Sequence, residues 1–162
     1  MKPSAPVAAS SLFRDLMSRF ASGIAIVTAV TPGGRLHGMT ASAVASLSLE
    51  PPLIVVCIDR TADIHPILDA TRCFALSILA ADQEHLSRRF AEDRADRFDS
   101  VGHIIGLDGL PLIDGALAHI TCRKWGAFPG GDHTLFLGQV SGGALFERKP
   151  LLHYRRGYGS LA

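Results

Sequence analysis

The chain lacks most of the patterns that assign chemistry at sight. No G-x-S-x-G elbow is present, which argues against a serine hydrolase of that type. No Walker A sequence occurs and no G-x-G-x-x-G follows a strand, so any nucleotide is held without a P-loop or Rossmann device. No C-x-x-C or H-x-x-H pair exists, and a structural zinc site is not expected. The three cysteines, Cys57, Cys73 and Cys122, are far apart in apolar strings. They read as reduced, mostly buried thiols of a cytoplasmic protein. Long apolar runs are missing too: Leu53–Ile58 falls far short of the roughly 20 residues that a membrane helix needs. The opening MKPSAPVAAS does not read as a signal peptide. Charge of one sign is absent, because 16 basic against 15 acidic residues leave a net +1. Neither nucleic acid nor an anionic membrane is an expected partner.

What remains is a chain of 162 residues, 48% apolar and 19% charged, enough for one well-filled domain. The low charged fraction leaves room for a second buried surface between copies. Residues 1–10 read as a flexible arm and 11–162 as a single domain. Leu12, Phe13, Leu16, Met17 and Phe20 recur at helical spacing, with Ser10 or Ser11 as cap and Gly23 as terminator. Ile24–Val30 is a β run, 31–34 (TPGG) a turn, and Leu36–Leu49 a long extended stretch that completes a hairpin. Leu53–Ile58, apolar on both faces, is a central strand. A polar loop over Asp59–Asp63, a brief helix near Ile67 and a strand over Cys73–Leu79 follow. Asp82 caps a helix to Phe90, 91–100 is an exposed loop or helix extension, and Leu110–Ile113 is irregular. The last strands are Ala116–Trp125, Thr134–Val140 and Ala144–Phe146, with a loop over Phe128–Asp132. Strands dominate and helices are short, so the fold class is mainly β with peripheral helices, a closed or partly closed barrel.

Two constellations stand out. In Gly38–Leu49, alternation would put Thr40, Ser42, Ser46 and Ser48 on one face and Ala41, Ala43 and Ala45 on the other. Small residues let a planar ligand approach the backbone, where hydroxyls and N–H groups can hold its polar edges. In Gly130-Gly131-Asp132-His133, two glycines free a loop and an acid–imidazole pair follows. On spacing alone the first is equally a strand with a hydroxylated solvent face, and the second a surface turn. The other histidines read as surface or satisfied polar residues. Trp125 and Phe128 could stack on a ligand or pack between subunits, and Arg155-Arg156-Gly157-Tyr158 could meet a phosphate or be a solvated tail.

Taken in order, the pieces resemble the short flavin reductases, the reductase components of two-component flavin-dependent monooxygenases. They are Phe20–Thr28, Gly38–Ser42, Ser46–Leu53, Phe74–Leu79, Phe90-Ala91, Gly131–Val140, Pro150–Leu152 and Gly157-Tyr158. The resemblance implies a split β-barrel of the FMN-binding type, a homodimer and a flavin site near the subunit interface. It implies FMN or FAD as flavin, NADH or NADPH as reductant, and a separate monooxygenase that receives reduced flavin. Carried over by position, Met39, Thr40, Ala41 and Ser42 line the isoalloxazine. Ser46 and Ser48 lie toward the ribityl chain and phosphate. Asp59, Arg60 and Thr61 add flavin contacts. Catalytic His133, beside Asp132, sits over the nicotinamide, and Arg156 and Tyr158 close that pocket. Ser77 stands where many relatives have Asn, so a flavin hydrogen bond there is expected to be lost or water-mediated. An alternative is a flavin-binding module without reductase activity, a redox sensor or electron-transfer partner. A relative of the pyridoxamine-phosphate oxidases ranks last, since that family's basic phosphate-binding residues are not evident.

Overall fold

The computed structural model describes residues 8–162. Most of the proposed N-terminal arm lies outside them, and Ser10 already opens helix α1 (Ser10–Met17). That helix carries no side-chain cap, so the capping expected of Ser10 or Ser11 is not made.

Next come β1 (Ser22–Gly23), β2 (Ala25–Val30) and β3 (Leu36–Ala41), then β4 (Val44–Ser48) and β5 (Leu53–Asp59). Helix α2 (His65–Ala70), β6 (Cys73–Ile78) and helix α3 (Glu84–Ala91) follow. The chain continues through β7 (His103–Ile105) and β8 (Pro111–Ile113), then β9 (Ala118–Gly130) and β10 (His133–Leu145). It ends with β11 (Leu151–Tyr154) and β12 (Gly157–Ser160). No helix among the described residues is long and apolar enough to cross a membrane.

Seven strands pair in the order β3-β2-β6-β9-β10-β5-β4. Its two edges, β3 and β4, are joined only by the corner at Ser42-Ala43. The sheet curls without closing, and this is the split barrel that the sequence led us to expect. Inside it, Val27, Val56, Ile58, Phe74, Leu76 and Phe136 form one core, into which Ile64 and Leu68 of the α2 region also pack. Outside β2, a second core of Ile24, Ile26, Leu86 and Phe90 seats α3. Each of these large side chains contributes roughly 1.5–3 kcal/mol by burial. Strand β2 is thus covered on both faces, which is why its Ile- and Val-rich run carries so little polarity.

Several local expectations are corrected. The stretch Leu36–Leu49 is two strands, not one, because the chain turns at Ser42-Ala43, where the Val44 N–H bonds the Ser42 carbonyl at 3.0 Å. Strand β4 then pairs with β5 at the far edge and has a bulge between Ser46 and Ser48. These interruptions break the alternation that would have gathered Thr40, Ser42, Ser46 and Ser48 on one face. Asp82 does not cap α3; it pairs with Arg148. The segment 91–100 is not simply exposed: Arg97 is buried and bonds the Glu92 carbonyl and Asp63, while Phe98 packs edge-on against Phe90. Leu110–Ile113 is not irregular, because β8 pairs with β7 and its Pro111 carbonyl accepts the buried Thr28 hydroxyl at 2.7 Å. The loop expected at Phe128–Asp132 shrinks to Gly131-Asp132, the tip of a long β9–β10 hairpin with Gly131 at φ 72°.

Packing inside the barrel is close at Gly138 of β10. A Cβ there would stand 2.5 Å from Phe74 Cζ and 2.8 Å from Cys122 Cβ. Gly138→Ala is therefore expected to cost about 1–3 kcal/mol. At roughly 2–4 °C per kcal/mol for a chain of this size, thermal denaturation should register the loss clearly.

Candidate functional site

A cleft of about 790 Å³ opens at the corner where β3 passes into β4. Its floor is made of small and apolar side chains: Ala41, Ala43 and Ala45, with Val55 and Cys57 of β5. Ala45 stands directly across from Val55, so the two share a face, and Cys57 follows on that face two residues along β5. One wall is α1, which contributes Phe13 and Met17, with Phe20 just beyond its end. None of the α1 residues is buried in the single chain, and its apolar stripe borders this open cleft. The helix is tied down by an Arg156–Asp15 ion pair and by the Arg155 N–H bonding the Ser18 carbonyl at 2.8 Å.

A polar cluster borders the floor. Asp59 lies two residues beyond Cys57 on the same face of β5, one strand step of roughly 6.5–7 Å. His133 of β10 is its register partner. The His133 Nδ1–H donates to Asp132 Oδ1 at 2.8 Å, which leaves Nε2 available to a ligand. The Arg60 N–H bonds the Asp132 carbonyl at 3.1 Å. Asp59 Oδ1 accepts both the Thr61 N–H and the Thr61 hydroxyl, each at 2.8 Å. These two donors hold the Asp59 carboxyl below the usual carboxylate range, with a further contribution from His133. The His133 hydrogen bond does the same for Asp132. Both acids are therefore ionised at neutral pH and flank the imidazole with negative charge. Behind the hairpin, His65 Nε2 and the Thr134 hydroxyl share a hydrogen bond of 2.8 Å, and the His65 ring packs edge-on to buried Phe136.

The fold thus gathers residues from distant parts of the sequence. Ala41, Ser42 and Arg156 line the cleft, while Asp59, Arg60, Thr61, Asp132 and His133 form the cluster beside it. The remaining expected residues are placed otherwise. Met39 packs against the barrel core. The Thr40 hydroxyl points to α3 and donates to the Ser87 carbonyl at 2.6 Å. Ser46 and Ser48 sit along edge strand β4, outside the cleft lining. The Tyr158 hydroxyl bonds Ser87 Oγ at 2.9 Å and its ring lies under Arg88, against α3. Ser77 is fully buried and its Oγ accepts the Ile113 N–H at 3.0 Å, so it supports β8.

Sequence reasoning missed Arg14, Phe13 and Met17 as cleft residues, and Cys57. The apolar spacing of α1 was the available signal, but it reads identically for a helix packed on its own core.

The fold and site can be set beside known proteins. The model of the flavin reductase like domain matches residues 17–162. The chain is 38% identical over 151 residues to the actinorhodin polyketide dimerase of Streptomyces coelicolor, covering 93% of this chain and 85% of that one. It is 36% identical to the reductase component of 4-hydroxyphenylacetate 3-monooxygenase of Thermus thermophilus, over 92% of this chain and 95% of that one. Among solved structures, the NADH:FAD oxidoreductase SgcE6 of Streptomyces globisporus C-1027, in complex with NAD and FAD fragments, superposes with a TM-score of 0.91. It is 35% identical and the match covers 98% of each chain. With most of its length matched by the family model and by relatives of this identity, the chain belongs to the flavin reductase-like domain family.

Proposed function

We propose that this protein is an NAD(P)H:flavin oxidoreductase that passes hydride from a reduced nicotinamide to FMN or FAD. Reduced flavin would then serve a separate flavin-dependent monooxygenase. The observation that carries the reading is the cleft itself: an apolar floor of alanines, wide enough for a planar ring system, with the His133 cluster one strand step away. Larger residues at Ala41, Ala43 and Ala45 would fill the space a flavin ring needs, so the residues present fit the group. The names of the relatives support the same activity, with NADH as the reductant where one is named, and a monooxygenase system named for several of them.

The bound pair supplies hydride transfer from nicotinamide C4 to flavin N5, and the protein supplies position. The alanine floor and α1 hold the rings and exclude water. The backbone at the Ser42-Ala43 corner and the Ser42 hydroxyl offer polar contacts to a ring edge. His133, fixed by Asp132, would meet the nicotinamide through Nε2. Residues 11–162 act as one domain, in the cytoplasm, as a homodimer in which a second copy covers the exposed apolar side chains Phe13, Leu16 and Met17.

The name of the Streptomyces coelicolor relative is a reminder that one fold can serve several ends. The test is nicotinamide oxidation in air by purified protein, with each of NADH and NADPH against each of FMN and FAD. Rapid flavin-dependent oxidation supports the reductase. Tight flavin binding without oxidation by any pair would favour a non-catalytic flavin module.

A further inference from the structure

The cleft is apolar along its floor, yet basic side chains also line it. Arg14 on α1, Arg156 in the β11–β12 turn and His153 on β11 all line it. We infer that Arg14 and Arg156 form an anion-reading rim that takes the phosphate groups of the ligands, and so helps to set the preference among flavins. This inference rests on the flavin-binding reading of the cleft and adds to it the role of the basic side chains.

Three observations converge on it. First, Arg14 makes no ion pair among the described residues, although Asp15 beside it is taken by Arg156. Second, the Arg156–Asp15 pair is solvent-exposed, at 66% and 64% of side-chain surface, and such pairs hold weakly. A phosphate offers the guanidinium a stronger, two-pronged partner for which that pair can be exchanged. Third, Arg155 and Arg156 occupy both central positions of a two-residue hairpin turn at φ 50° and 65°. Asn-Gly would adopt that left-handed geometry with less strain. Side chains kept at a strained position where glycine would be easier point to a use for the side chain. The serines expected to meet the phosphate, Ser46 and Ser48, lie outside the cleft lining, and the cations lie in it.

The test measures binding of riboflavin, FMN and FAD by flavin fluorescence quenching, in the wild type and in Arg14→Gln, Arg156→Gly and the control Arg19→Gln. The Arg156→Gly turn is relieved of strain and a thermal melt verifies the fold, while any loosening of α1 through loss of its pair with Asp15 would weaken riboflavin as much as its phosphates. Loss of one charge-assisted contact is worth about tenfold in affinity. Arg14→Gln and Arg156→Gly should each weaken FMN or FAD about tenfold, riboflavin less than twofold, and the weakening should shrink at high salt. A loss seen with FAD but not FMN assigns the rim to the second phosphate. The same contrast between NADH and reduced nicotinamide mononucleotide, read by competition, assigns it to the nicotinamide partner. Equal losses for riboflavin and its phosphates, or no loss with any phosphate-bearing ligand, would overturn the rim. A wild type that binds no flavin but binds inorganic pyrophosphate in an Arg14-dependent way would sink the flavin reading and leave the rim standing. Binding of neither would sink both.

Discussion

Ala45→Phe should weaken flavin binding by about a hundredfold or more while leaving the fold intact. Ala45 is exposed on edge strand β4, where an aromatic side chain suits the backbone and meets no core. Its Cβ rises from the cleft floor beside Val55, so a phenyl ring would occupy the volume assigned to the isoalloxazine. Losing the stacked contact and its buried area together should weaken flavin by a hundredfold or more, about 2.7 kcal/mol or greater. Equilibrium dialysis with FMN and FAD reads the loss, and circular dichroism verifies the fold. Unchanged affinity in a folded variant would mean that the flavin lies elsewhere.

His133→Ala should act on the other ligand. The imidazole is held at the hairpin tip by Asp132 and faces Asp59 across the β5–β10 pair, beside the floor rather than in it. Its removal should raise KM for the nicotinamide about tenfold, on the scale of one lost polar contact. Flavin affinity should fall much less. Asp132→Asn should show a milder form of the same pattern, because the amide can still accept the Nδ1–H but loses its charge. A variant that loses flavin affinity and keeps its nicotinamide KM would reverse the assignment of the two ends. Steady-state kinetics at saturating flavin, with flavin affinity measured separately, resolves the two.

The architecture was legible because β patterning is local. Ile24–Val30, Leu53–Ile58 and Cys73–Leu79 announce themselves by β-branched runs bounded by turns, and all three are strands of the barrel. The tight β9–β10 hairpin was harder, since Phe128-Pro129-Gly130 reads as a loop and is held extended by pairing with β10. The Asp132-His133 pair stood out in the sequence behind its two glycines, but Asp59, Arg60 and Thr61 were named beside it only because the order of motifs resembled a family. Nothing in the spacing of Asp59 and His133 says that they face each other across two strands. The hydroxyl face failed for a physical reason. Alternation holds only within an unbroken strand, and this chain turns at Ser42-Ala43 and bulges at Ser46–Ser48. A buried serine that satisfies a backbone N–H, as Ser77 does for Ile113, has no mark in sequence to separate it from one that meets a ligand. Arg14 was missed because its place on the cleft depends on how α1 docks, through contacts to Asp15 and Ser18 made by a turn 141 residues away.

The most direct test of the central claim is to mix flavin-loaded protein with NADH in the absence of oxygen and follow the visible absorption of the flavin. The account predicts that the flavin bleaches in a single rapid phase, and that His133→Ala shifts the NADH concentration needed for half-maximal rate upward by about tenfold. Flavin that stays oxidised in the folded, loaded wild-type protein, with either NADH or NADPH, would contradict it.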